Sequence, residues 1–377
     1  MSGPLDGLKV LEMAGMGPGP FAGMLLADMG AEVLRVDRIA RSDEKPFDFL
    51  LRRGRRSIAV DLRHPEGAAV VRDLAERADV LIEGFRPGVM ERLGLGPDQC
   101  MERNPRLIYG RMTGWGQSGP NAQQPGHDIN FIAAAGILSA IGRPGQAPVP
   151  PLNVVGDFGG GGMLLAFGVM CAVFEAQRSG RGQVVDAAMI DGAALLGTVF
   201  HSVNAVGGWD HRRGGNIVDG GAYFYDSYET SDGKYMSVGA AEPQFLREAA
   251  RLLGLNPDQL PDPADKSRWP EGKALFSAAF KTRTQAQWTA VFAGQDTCVT
   301  PVLGLIEATT YPHNVARATF VEHGGVKQPA PAPRFSRTAA TLGRLPPKAG
   351  RDTDEALADW GIERERIAVL RAAGAIG

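Results

Sequence analysis

Residues 7–37 constrain the fold more than any other part of the chain. Residues 7–13 (GLKVLEM) are short and apolar, 14–20 (AGMGPGP) break the run, 21–30 (FAGMLLADMG) have helical periodicity, and 31–37 (AEVLRVD) are apolar again. That is a β-α-β unit, whose two strands must run parallel because a helix separates them. The pattern continues. Residues 57–61 (SIAVD) read as a strand, His64-Pro65-Glu66 opens a helix running to about residue 78 with Pro65 at its first position, and 79–83 (DVLIE) and 106–112 are further strands. Strands and helices alternating at these lengths imply an α/β fold with a doubly wound, Rossmann-like parallel sheet.

Further along, residues 183–187 resume strand character and a helix follows through about residue 206. Residues 209–221 are polar and glycine-rich. A hairpin spans 223–230 and 234–240 around Ser231-Asp232-Gly233, and helical stretches follow at 243–254, 271–280 and 284–293. This reads as a smaller α+β domain over 222–315. Residues 329–350 are proline-rich, and a charged helix at about 352–372 closes the chain.

Composition excludes several classes. The chain is 44% apolar and 22% charged, enough to bury a full core, so global disorder is out. A net charge of −2 argues against a nucleic-acid partner. The longest apolar run, 163–174, has twelve residues, against roughly 20 for a membrane span, and reads as a buried core helix. Three separated cysteines, Cys100, Cys171 and Cys298, argue against a disulfide framework or a zinc site. MSGPLDGLKV contains no signal-peptide apolar core, so a soluble, cytoplasmic protein is expected.

Gly17-Pro18-Gly19-Pro20-Phe21-Ala22 fits the G-x-G-x-x-A dinucleotide fingerprint, and Asp37 stands 20 residues on. The fingerprint works by offering backbone N–H groups to a pyrophosphate. Pro18 and Pro20 have none, so a tight β-α turn is the better reading. Basic loops are more promising. Residues 35–56 hold eight Arg/Lys and four Asp/Glu. Arg38 follows one strand, Val60-Asp61-Leu62-Arg63 follows another, and Gly84-Phe85-Arg86-Pro87-Gly88 a third. Ligands of open α/β sheets bind beyond the carboxyl ends of strands, and arginine suits phosphate. The run Arg52-Arg53-Gly54-Arg55-Arg56 reads equally well as a solvated basic loop.

Thirteen of the 50 glycines fall in residues 110–162. Within that stretch Gly126-His127-Asp128-Ile129-Asn130 opens one helix and Gly156-Asp157-Phe158, followed by Gly159 to Gly162, opens another. Capping explains an aspartate at a helix start. It does not explain four consecutive helical glycines, each costing on the order of 1 kcal/mol against alanine. Glycine there implies close approach of backbone to another backbone or to a ligand. An imidazole and a carboxylate around such a site suit proton abstraction next to a carbonyl, with helix N–H groups holding the oxyanion.

Taken together, the chain resembles the α-methylacyl-CoA racemases of the family III CoA-transferase superfamily. The resemblance rests on residues 7–38, on 79–95 (DVLIEGFRPGVMERLGL), on 106–120 (RLIYGRMTGWGQSGP), on 126–162 and on 239–245 (GAAEPQF). It implies a large domain built from both chain ends, residues 1–200 with a C-terminal return at 325–377. Linkers at 201–221 and 316–324 would flank the smaller domain, and two subunits would interlock as a homodimer. It implies that CoA contacts Arg38, Val60, Asp61, Leu62, Arg63, Gly84, Phe85 and Arg86, with Arg92 nearby. Arg63 stands where the family often has lysine. Gly126, Asp128, Ile129, Asn130 and Phe131 would line the acyl end, with Ile132 and methionines in the pocket wall. The catalytic pair falls on His127 and Asp157, and Glu242 on the carboxylate that orients the histidine from the smaller domain.

The expected reaction is racemisation of 2-methylacyl-CoA thioesters through an enolate, with the glycine cluster then read as backbone brought close to the thioester. CoA is then part of the substrate, and no separate cofactor, metal, nucleic acid or membrane is called for. The competing reading is a CoA-transferase with Asp157 as nucleophile. His127 discriminates, because the transferases usually lack histidine there. An NAD oxidoreductase would rest on Gly17 to Ala22 alone, and a silent CoA binder would not need His127, Asp157 and Glu242 together.

Overall fold

The computed structural model describes residues 3–39 and 48–377; Arg41 and Lys45 of the basic stretch lie outside the described residues. Two compact units emerge, one from residues 1–135, 152–197 and 318–377, the other from 136–151 and 198–317.

The first unit is built on β1 (Lys9–Met13), α1 (Pro18–Asp28), β2 (Glu32–Asp37), β3 (Arg55–Ala59), α2 (Pro65–Ala75) and β4 (Val80–Glu83). The short helices α3 (Val89–Arg92) and α4 (Pro97–Arg103) lead to β5 (Ile108–Thr113). Next come α5 (Asp128–Ala134), a π-helix (Val154–Met163), α6 (Leu164–Ser179), β6 (Val184–Ala188) and α7 (Met189–Leu196). The six strands run parallel in the order β3-β2-β1-β4-β5-β6. Chain direction across the sheet reverses between β1 and β4, which opens a crevice at their carboxyl ends.

Alternation along each strand feeds two cores. Leu11, Leu34 and Leu81 pack with Val71 and Leu74 of α2 and with Leu357, Trp360 and Leu370 from the C-terminal return. Val10, Val33 and Val80 pack on the other face with Leu26 of α1 and with Leu165 and Val169 of α6.

The second unit holds α8 (Thr198–Ala205), the antiparallel strands β7 (Tyr225–Glu229) and β8 (Tyr235–Gly239), the helices α9 (Pro243–Leu252), α10 (Trp269–Phe280) and α11 (Gln285–Phe292), and β9 (Val299–Pro301). Its core is aromatic, with Tyr223, Phe224, Tyr228, Phe276, Phe280 and Trp288 buried together. The unit begins well before residue 222, because the helix expected through residue 206 divides at Gly197 into α7 and α8. Residues 136–151 also join it, tied by Arg143 to Asp226 at 2.7 Å and by Arg213 to the Ser139 carbonyl at 2.8 Å.

The four-glycine segment is not an ordinary helix start. It lies in a ten-residue π-helix that begins at Val154 and runs straight into α6. π-helices are rare, and the wider turn places backbone where side chains normally stand. A Cβ on Gly160 would come 2.7 Å from the Ala193 nitrogen of α7, and one on Gly192 would fall on the Gly160 carbonyl oxygen. A Cβ on Gly161 would stand 3.0 Å from the Pro18 side chain, and one on Gly162 would stand 2.8 Å from the Pro18 carbonyl. The glycines therefore bring the π-helix onto α7 and α1. Of the two neighbours the sequence allows, another backbone or a ligand, the structure has α7 and α1 there, which corrects the thioester reading.

The run 163–174 is also not wholly buried. Leu165, Val169, Ala172 and Val173 face the sheet, whereas Met163, Phe167 and Phe174 project outward, with Phe167 at 67% exposure. By length and apolarity alone, the continuous helix Val154–Ser179 is sufficient to cross a membrane. In this fold its glycines pack on α7 and α1 and one of its sides faces the sheet.

Gly192→Ala should cost about 3 kcal/mol or more, or prevent folding, because neither backbone can retreat. Gly19→Ala in α1 meets nothing within 4 Å. It should be neutral or stabilising by up to about 1 kcal/mol. Chemical denaturation of the two variants measures the contrast, and equal stabilities would remove close packing as the reason for these glycines.

Candidate active site

The carboxyl ends of β1 to β4 enclose a cleft of about 510 Å³. Ala14 follows β1, Arg38 and Ile39 follow β2, Val60 to Arg63 follow β3, and Phe85 follows β4; all of them line it, with Val89 and Leu93. The loops that were separate in sequence thus meet at one sheet edge. Arg38 and Arg63 are exposed there, whereas Arg86 and Arg92, also exposed, are not among the residues that line the cleft. The loop after β4 is braced from below: Glu83 accepts from the Phe85 N–H at 2.7 Å and from Arg111 Nε at 2.9 Å. Burial pushes the Glu83 carboxyl up, against the pull of these two partners.

The basic run before β3 has a different role from the solvated loop allowed by its sequence. Arg53 is buried on Asp28, with Nη2 to Oδ2 at 2.6 Å. Arg55 lies in β3, fully buried, with Nε to Glu12 Oε2 at 2.6 Å and a further bond to the Pro20 carbonyl. Arg35 shares Glu12 and also reaches Asp37 at 3.0 Å. Asp37 takes Ser57 Oγ on its other oxygen at 2.7 Å. Both oxygens of Asp37 are therefore engaged inside the protein, which leaves it unsuited to hold a ribose. The rest of the dinucleotide fingerprint is likewise occupied: Gly17, with φ of +66°, faces the Asp157 carboxylate, and Pro18 carries the π-helix.

His127 is the N-cap of α5, in extended backbone, and its own N–H is received by the Asn130 side chain at 3.0 Å. Its imidazole is exposed, as are Ile129 and Asn130. Three of the residues expected at the acyl end or in its pocket wall turn inward. Phe131 is 3% exposed, packed edge-on against Trp115 at 4.9 Å in a space that Gly114 and Gly126 leave open. Ile132 is fully buried. Asp128 is 5% exposed, and its Oδ2 accepts the Asp157 N–H at 2.7 Å. The start of α5 leaves the N–H groups of Asp128 and Ile129 without intrahelical acceptors.

Asp157 is half-buried in the first turn of the π-helix, three residues inside its start. Its Oδ2 accepts from Asn153 Nδ2 at 3.0 Å. Burial pushes its carboxyl above the usual aspartate range; the Asn153 bond opposes this, the Asp128 charge reinforces it, and His127 opposes it. Burial is the largest of these influences. His127 and Asp157 come together in the first unit. Glu242 belongs to the second, exposed at the N-cap of α9. Asn153 escaped the sequence reading, although its spacing four residues before Asp157 on a helix was the available signal.

The chain is similar to several known proteins. The model of CoA-transferase family III matches residues 5–353. Alpha-methylacyl-CoA racemase of Mus musculus is 47% identical over 368 residues, covering 97% of this chain and 96% of the relative. The Homo sapiens protein of that name is 46% identical over 367 residues, covering 96% and 95%. Among solved structures, a CAIB/BAIF family protein from Brucella suis superposes with a TM-score of 0.83 at 26% identity, covering 96% of this chain and all of that one.

The raised Asp157 carboxyl carries a stability cost with a defined sign. The folded chain binds this proton more tightly than the unfolded chain, so the group's contribution is present at low pH and is lost as pH rises through its folded value. Asp157→Asn should therefore melt at the same or a higher temperature than the parent at pH 7, with the difference closing near pH 4. A variant clearly less stable at pH 7 would contradict the assignment.

Proposed function

The chain belongs to CoA-transferase family III, and on that premise we propose that it interconverts the (2R) and (2S) forms of 2-methylacyl-CoA thioesters. The observation that carries this reading is the pairing of the His127 imidazole with the half-buried Asp157 carboxylate in one unit. The high identity to proteins named for this activity supports it.

One carrier in its basic form takes the α-proton, leaving an enolate whose oxygen is held by N–H groups at the start of α5. The other carrier, protonated, returns a proton to the opposite face. A carboxyl held above its ordinary range serves best as the acid, and in its ionised form it is also a stronger base. Glu242 is read as the carboxylate that fixes the His127 tautomer.

CoA is read into the cleft, its phosphates on Arg38, Arg63, Arg86 and Arg92 and its base against Phe85. The turn from Ala14 to Gly17 runs from the cleft to Asp157, a span of no more than about 11 Å. The CoA end and the reacting carbon would thus lie along one turn. The outward stripe of Met163, Phe167 and Phe174 is read as the surface for self-association into an interlocked homodimer.

A 2-methylacyl-CoA incubated with the protein in D2O should exchange its α-proton, and His127→Ala should lose exchange by about a hundredfold or more from at least one enantiomer while still binding CoA. No exchange at any chain length would sink the racemase. An acyl adduct trapped on Asp157 in the presence of an acceptor acid would favour the transferase instead.

Arg63→Ala should raise the CoA dissociation constant about tenfold at low salt, with a smaller loss at high salt, because the lost contact is a screened surface charge. Titration calorimetry at two ionic strengths reads both. Unchanged affinity would remove Arg63 from the cleft's phosphate contacts.

A further inference from the structure

We propose that Asp128 and Asn153 are positioning residues for Asp157. Asp128 holds its backbone from inside the fold, and Asn153 occupies Oδ2 so that Oδ1 is the oxygen that exchanges the proton. This rests on the reading of Asp157 as a proton carrier.

The geometry behind it begins with the π-helix. Hydrogen bonds from i to i+5 leave five N–H groups at the start without an intrahelical acceptor, one more than in an α-helix. The Asp157 N–H is among those orphans, and Asp128 Oδ2 satisfies it at 2.7 Å. The carboxylate reaches it only because residue 156 is glycine: a Cβ there would stand 2.7 Å from Oδ2. The other oxygen of Asp128 is buried with no partner among the described residues. A buried carboxylate with one oxygen unsatisfied costs stability, so Asp128 is a poor choice for packing alone. As an anchor it joins α5, which carries His127, to the helix that carries Asp157, and so fixes one proton carrier relative to the other.

Asn153 acts on the side chain. Its Nδ2 donates to Oδ2 at 3.0 Å and is the only side-chain bond to the Asp157 carboxylate among the described residues. One oxygen is thereby held and the other left available. The two neighbours also oppose each other electrically. The amide favours the ionised carboxylate, while the Asp128 charge disfavours it. The remaining titratable group acting on Asp157 is His127. The packed faces of α1 and α7 at the π-helix, through Pro18, Phe21, Met189, Gly192 and Ala193, bring uncharged groups.

The test uses Asn153→Ala, Asp128→Ala and Asp128→Asn in the full chain, with two readouts. The first is α-proton exchange in D2O for each enantiomer across pH. The second is a carbon-13 NMR titration of the Asp157 carboxyl in the absence of substrate. Asn153→Ala should lower kcat about ten- to hundredfold with KM within about threefold, since misplacement of a reacting group has that scale. Its Asp157 titration should move to higher pH. Asp128→Asn keeps an acceptor for the N–H, so it should retain most of kcat while moving the titration to lower pH. Asp128→Ala should lose kcat. Folded variants with parental kcat and parental titration would overturn the proposal, as would losses confined to KM. If the parent itself exchanges no proton, the racemase reading fails. The titrations then decide separately whether Asp128 and Asn153 hold the carboxyl.

Discussion

Most of the site depends on one close contact, that of the Gly160 backbone against Gly192. A π-helix is wider than an α-helix and gives up good hydrogen-bond geometry, so it persists only where packing over-determines it. Here α7 comes so near that neither Gly160 nor Gly192 has room for a Cβ. On the other side α1 comes close through Pro18 and Phe21 against Gly161 and Gly162. With both flanks fixed at backbone distance, the first turn of the π-helix has one orientation. Asp157 is carried on that turn, above Gly17 and within reach of Asn153 and Asp128.

The cleft depends on a second constraint, the charged layer beneath β1, β2 and β3. Glu12 is shared by Arg35 and Arg55, and Asp37 is shared by Arg35 and Ser57. Such a network is weak evidence for net stability, because desolvation offsets much of the attraction. Breaking it is a different matter, since a charge left alone in the interior costs on the order of 3–5 kcal/mol. The network fixes the ends of β2 and β3, from which Arg38 and Arg63 emerge. It also consumes the acid that a dinucleotide site would have used. The strand order is that of a nucleotide-binding sheet, but the first turn and its acidic partner serve the protein's own packing.

The legible parts of the sequence were those governed by local periodicity and by chain geometry. The β-α-β unit, Pro65 at a helix start and His127 at an N-cap follow from residue spacing and capping chemistry, and the structure has all three. Loops after parallel strands must emerge on one edge, so the meeting of Arg38, Arg63 and Phe85 was also accessible. The π-helix was not, because a run of glycine gives no sign of whether bonds close over four residues or five. Nor was the burial of Arg53 and Arg55, since the carboxylates that neutralise them lie 25 and 43 residues away. The outward face of α6 was missed because apolar residues all round a helix signal a core in a lone chain and a contact surface equally well. Residues 136–151 leave the first unit for a reason equally invisible locally, the ion pair of Arg143 with Asp226, 83 residues on.

The chemistry of an imidazole paired with a carboxylate explains why burial of Asp157 matters. In water the two groups differ by about 2.6 pKa units. In the proposed racemisation, which runs in both directions between thioesters of nearly equal free energy, each carrier would act as acid in one direction and base in the other. A large gap in proton affinity between carriers would favour one direction's starting state and penalise the other by about 1.4 kcal/mol for each unit. Moving the carboxyl upward narrows that gap from one side. Desolvation does this here, reinforced by the Asp128 charge and restrained by Asn153 and His127. The half-buried setting is made by glycines that let two helices close around the aspartate. Gly160, Gly161, Gly162 and Gly192 thus set the packing of the rare helix that carries Asp157.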